Sequence, residues 1–107
     1  MIFEYDELKK YVSEDFERFY KMGFNEEQIL SAVLSEYQYG EDFCLTENIC
    51  IYIFLALKYA QNQLNIDIVK QKLKPFITEN IEIASELGHE YTKYLSDLEI
   101  IYGINLS

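Results

Sequence analysis

Residues 36–50, EYQYGEDFCLTENIC, gather the side chains in this 107-residue chain most able to do chemistry. They hold four carboxylates (Glu36, Glu41, Asp42 and Glu47), two tyrosines and two cysteines around Gly40. Such a set could ligate a metal, run acid–base catalysis through a carboxylate pair, or present charge to a partner. Metal ligation fits poorly. Five residues separate Cys44 from Cys50, wider than a zinc knuckle, and no second pair exists. The acidic spacing also lacks the alternating oxygen ligands and central glycine of a calcium loop. The single histidine opens the run HEYTK, where Lys93 stands in place of the second ligand of an HExxH zinc helix. His89 should lie on the solvent side of its helix.

Glycine-rich phosphate loops and a GxSxG elbow are absent from the sequence. An acidic chain offers many carboxylate pairs, so a hydrolase of that kind stays open, though nothing specifies which pair. Asp15 and Asn80 are the two polar residues that fall on faces otherwise patterned apolar. Asp15 lies in the arc of the first helix beside Tyr11 and Met22. Each could be a perturbed group in a site. The favoured reading is a core polar residue satisfied by a tyrosine hydroxyl, by Arg18 or by backbone. The residues thus point to a binding protein without catalytic groups, metal or cofactor.

The elements that position these groups are helices. Over 5–22, Tyr5, Leu8, Val12, Phe16 and Phe19 recur at three- and four-residue spacing, and Gly23 stops the run. Asn25 and Gln28 form a capping box for a second helix over 26–39. Its stripe is Ile29, Leu30, Val33, Leu34 and Tyr37, which places Tyr39 on the opposite face near Glu36. Thr46 caps a third helix whose first turns are apolar nearly all round, so other helices must enclose it. Ile66, Val69 and Leu73 mark a short fourth helix ending at Pro75. From 76 to 102 one register runs through Ile77, Ile83, Ala84, Leu87, Tyr91, Leu95, Leu98 and Tyr102. Gly88 interrupts it, so two helices meeting there are favoured, with one long helix carrying an internal glycine left open. The expected fold is all-α: a single compact bundle of five or six helices over 1–107, with an apolar central helix.

Charge narrows the partner. With 19 acidic and 9 basic residues the net charge is −10, which disfavours nucleic acid and anionic membrane as partners. The longest apolar run, Ile49–Leu57, is far below the ~20 residues of a membrane span, and the start shows no export signal. A cytoplasmic protein is expected. Residues 1–50 hold twelve acids and four bases, and residues 51–107 hold seven and five. The excess acid therefore sits on the first two helices and the loop after them. Glu36, Tyr39, Glu41, Asp42 and Glu47 are the expected contact for a basic partner, since a tyrosine among carboxylates is a common hot-spot composition.

The runs YDELKKYV, MGFNEEQILSAVLSEYQYG and IYIFLALKYAQNQL resemble a family of bacterial immunity proteins, immunity protein family three of the polymorphic toxin systems. The likeness is carried by Tyr5, Glu7 and Leu8, by Gly23 and Phe24, by Glu36 and Tyr37, and by Leu55, Ala56 and Leu57. It covers roughly residues 5–73, and the chain departs from the family pattern in having no tryptophan. The resemblance implies a small, acidic, all-α inhibitor. Such a protein binds a toxin domain made by its own cell and blocks its active site or an adjacent surface. Many such toxins are nucleases, whose grooves are basic. Two other readings stay open: an acidic helical adaptor for a different basic protein, and a small acid–base enzyme built around Asp15.

Overall fold

The computed structural model describes residues 4–37, 45–74, 84, 85 and 87–102. Five α-helices account for most of them: α1 (Tyr5–Lys21), α2 (Glu26–Tyr37), α3 (Leu45–Gln61), α4 (Asp67–Leu73) and α5 (Tyr91–Tyr102). A single 3-10 turn, Gly88–Glu90, leads into α5. No strand occurs among the described residues, and the architecture is an all-α bundle.

Each helix end has a local cause. In α1, Asp6 and Glu7 in the first turn and Arg18 and Lys21 in the last suit the helix dipole. At its C-terminus Gly23 takes φ +89°, a left-handed conformation that costs glycine little. The Gly23 N–H then donates to the Tyr20 carbonyl (3.0 Å) and the Phe24 N–H to the Phe19 carbonyl (3.2 Å). That pair of bonds is a Schellman motif, and the Phe19 and Phe24 rings stack across it at 5.4 Å. The capping box of α2 is also present. The Gln28 N–H donates to Asn25 Oδ1 and the Asn25 N–H to Gln28 Oε1, both at 2.9 Å. Helix α3 starts at Leu45, so Thr46 lies inside its first turn rather than ahead of it.

Helix α3 is the centre. Every residue from Ile49 to Leu57 is buried, and α1, α2, α4 and α5 all pack against it. The stripes brought to it are Tyr5, Leu8, Val12 and Phe16 from α1, Ile29, Leu30 and Val33 from α2, and Val69 and Leu73 from α4. No helix among the described residues is long and apolar enough to cross a membrane.

The last helix corrects the sequence reading. A break occurs at Gly88, which takes φ +57°. Beyond it the buried side chains are Tyr94, Asp97, Leu98 and Ile101, whereas Tyr91 and Leu95 are only partly buried. The face inferred from a single register (Tyr91, Leu95, Leu98, Tyr102) is displaced by about one residue, ~100° around the helix. The left-handed glycine and the tighter 3-10 turn reset the helical phase. A continuous register across them could not have held.

Two tyrosines make the core sensitive to alkali. The Tyr59 hydroxyl donates to the Glu26 carbonyl oxygen (2.6 Å), tying α3 to the start of α2. Burial, with Glu26 charge nearby, pushes this phenol well above its ordinary 10. Burial pushes Tyr5 up further, aided by its hydrogen bond to Asp97. In the unfolded chain both ionise near pH 10, while the folded protein keeps both protons. Stability from these groups is thus full below pH ~10 and falls as pH rises above it, by up to ~1.4 kcal/mol per unit for each. Alkaline titration should show tyrosinate absorbance and loss of helical circular dichroism rising together. A full tyrosinate count in a still-helical protein would contradict this.

Candidate functional site

Of the five residues expected to meet a partner, Glu36 and Glu47 fall among the described residues; Tyr39, Glu41 and Asp42 lie outside them. Outside too are Cys44, Pro75, Asn80 and the side chain of Tyr37. Glu36 is exposed in the last turn of α2, and Glu47 is half-buried in the first turn of α3 with an interaction of its own.

After the turn at Gly23, α2 packs against α1 and brings Glu36 to Arg18 in the last turn of that helix. There Arg18 serves two carboxylates. Its Nη2 pairs with Glu36 Oε1 and lies 3.5 Å from Asp15 Oδ1, one turn earlier on α1. The guanidinium also lies over the Phe19 ring, 4.7 Å from its centroid. Partial burial, a hydrogen bond with Asp15 and the Asp15 charge raise the Glu36 carboxyl above its ordinary range, while Arg18 pulls the other way. One cation thus stands against two acids, and the cluster keeps a negative excess. Asp15 has Arg18 as a partner, one of the three satisfactions expected from sequence. Its expected apolar neighbours are not apolar core: Tyr11 is 46 % exposed and Met22 62 %. The buried arc of α1 is narrower than the periodicity suggested, and Asp15 sits at its edge.

Around this cluster the outer face of α1 carries Glu7, Tyr11 and Glu14, all exposed. The Tyr11 hydroxyl donates to Glu7 Oε1 at 3.0 Å; that hydrogen bond, aided by the Glu7 and Glu14 charges, pushes its ionisation upward. An exposed tyrosine held among carboxylates, the composition expected at Tyr39, is thus realised at Tyr11.

A second polar cluster was missed from sequence. Asp97 is a buried acid on α5, and its Oδ2 accepts the Tyr5 hydroxyl at 2.6 Å. Lys9 Nζ donates to the same carboxylate, 3.1 Å from Oδ2 and 3.3 Å from Oδ1. Glu90 reaches back as well, its Oε2 accepting the Tyr5 backbone N–H at 3.4 Å. That N–H is one of the donors a helix start leaves without an internal partner. A cleft of about 340 Å³ opens beside the cluster, edged by Thr92 and Ser96 and by the Lys93–Asp6 pair at 2.5 Å. The charged groups along it are paired with one another, so the cluster is a clamp between the start of α1 and α5. The signal that could have found it is the Tyr94–Leu98–Ile101 spacing counted afresh after Gly88, which puts Asp97 on the buried face.

His89 is exposed, as its place on the wheel implied, and Cys50 is a buried side chain in the core of α3. Among the described residues no three His, Cys, Asp or Glu side chains gather to hold a metal ion. No protein-family model matches this chain, and neither the curated proteins nor the solved structures contain a match to it.

Proposed function

We propose that this protein is an immunity protein that binds and neutralises a cognate bacterial toxin domain through direct contact with its acidic surface. The observation that carries this reading is the outward charge of the first two helices. Glu4, Asp6, Glu7, Glu14, Glu17, Glu27 and Glu36 are all exposed. Of the four bases on these helices, Lys9 is drawn to Asp97 and Arg18 to Asp15 and Glu36, which leaves the exposed Lys10 and Lys21 outnumbered by these acids. A surface of this sign attracts a basic partner from a distance and repels nucleic acid. A nuclease toxin is the class it would fit best, because a nuclease groove must be basic to hold its substrate. Charge then raises the association rate, and close tyrosine and carboxylate contacts slow dissociation. The resemblance to the immunity family, carried by Tyr5, Glu7, Leu8, Gly23, Phe24 and the Leu55–Leu57 run, points the same way.

Co-expression with the toxic domain encoded by the adjacent gene tests the proposal. Restored growth, with the two proteins purifying as one complex whose affinity falls with salt, is the expected result. Growth arrest unchanged by this protein, with no complex formed, would leave the adaptor reading in its place.

A further inference from the structure

We propose that a basic protein surface docks along the outer flank of α1, with Tyr11 as its central anchor. Glu7, Glu14, Asp15 and, from α2, Glu36 form the acidic surround. This rests on the reading of the protein as a toxin-neutralising partner, and it places the interface on a helix that the sequence pattern did not single out.

Position is the first support. Glu7, Tyr11, Glu14 and Arg18 are spaced i, i+4, i+7 and i+11, so they form one stripe along the helix, with Asp15 and Met22 beside it. This stripe flanks the buried Tyr5–Leu8–Val12–Phe16 face on the side where α2 packs, away from Lys9 and the Asp97 clamp. Exposed apolar mass is the second. The large exposed apolar side chains among the described residues are Tyr11, Tyr20, Met22 and Ile100, and two of these four lie on this flank. The bond from the Tyr11 hydroxyl to Glu7 fixes the ring before any partner arrives, which lowers the entropy cost of binding. Charge complementarity is the third. Arg18, the base on the stripe, is shared by Asp15 and Glu36; Lys10 and Lys21 are exposed at its margin, and the acids Glu7, Glu14, Asp15 and Glu36 still outnumber these three bases. An arginine- or lysine-bearing surface supplies what is short, and tyrosine is among the residues that most often anchor such contacts.

The test measures affinity for the purified toxin domain of the adjacent gene. The variants are Tyr11→Ala, Tyr11→Phe and Glu14→Lys, with Glu99→Lys on exposed α5 as a control of equal charge change. Tyr11→Ala and Glu14→Lys should each weaken binding at least tenfold. Tyr11→Phe keeps the ring and should lose less than threefold, and Glu99→Lys should lose less than threefold. All three positions are solvent-facing, and unchanged melting curves would verify the folding of the four variants. If the wild type binds and Tyr11→Ala and Glu14→Lys bind as well as it does, the docking surface is wrong while the function stands. If Glu99→Lys weakens binding as much as Glu14→Lys, only overall charge matters and the surface is again wrong. If the wild type itself fails to bind, the function fails and the surface falls with it.

Discussion

Replacing Asp97 with alanine is expected to lower folding stability by about 3 kcal/mol and the melting temperature by roughly 15 °C. The larger share comes from Tyr5. Its side chain is fully buried, and removing the carboxylate leaves a hydroxyl enclosed without its 2.6 Å acceptor. Such an orphaned group costs about 1–3 kcal/mol. Lys9 contributes less, because its side chain is 39 % exposed and water replaces the lost partner; an ion pair of that exposure is worth under about 1 kcal/mol. The remainder is the space left by the side chain. Asp97→Asn keeps the size and one acceptor oxygen, and should lose less than half as much. In the Asp97→Ala background, Tyr5→Phe should cost almost nothing further, since the hydroxyl no longer has a partner. Urea unfolding followed by circular dichroism measures all three. An Asp97→Ala protein within about 0.5 kcal/mol of wild type would show that the clamp holds nothing.

Phe54→Ala should be more damaging, at about 3–5 kcal/mol. Phe54 is 1 % exposed in the middle of α3, and its ring meets Tyr5 edge-to-face at 4.9 Å and 75°. Lys9 Nζ lies 6.0 Å from the same ring. Deleting the ring therefore opens a cavity in the most enclosed helix and loosens the side chain that Asp97 grips. Small domains hold only about 5–15 kcal/mol in total, so this variant should unfold at much lower urea than wild type. Because Tyr5 touches both positions, the Phe54→Ala, Asp97→Ala double variant should lose less than the sum of its parts. Met22→Ala, on the exposed flank, should change stability by less than about 0.5 kcal/mol. A Phe54→Ala loss below about 1 kcal/mol would mean that the α1–α3 contact is not the core it looks to be.

Local rules were enough to read most of the helices. The stripes of α1 and α2, the Asn25–Gln28 box, the stop at Gly23 and the apolar α3 all depend on neighbours three or four residues apart. The burial of Asp97 was not legible, because it depends on two non-local facts. One is the phase of α5, reset by the backbone at Gly88. The other is the identity of the partners, Tyr5 and Lys9, at the far end of the chain. Asp15 shows the contrast: its partner Arg18 is three residues away, and sequence named it. The expected contact set was legible only as composition. A carboxylate-and-tyrosine pattern is recognisable wherever it occurs, and the same pattern at Glu7–Tyr11–Glu14 was passed over because Tyr11 was assigned to an apolar arc. Helical spacing tells flank from core only where the arc is narrow, and α1's arc proved narrower than five apolar positions implied.

The 92-residue separation of Tyr5 and Asp97 also sets an order of events during synthesis. At about 5–20 residues per second, roughly ten seconds separate the emergence of one partner from the other. Through that interval α1 can lean on α3, but its first residue has neither the carboxylate that will take its hydroxyl nor the Glu90 oxygen that will take its amide. The start of α1 is thus finished only when α5 arrives. Nascent protein passes through a stage in which α1 to α4 exist and Tyr5 has yet to meet Asp97.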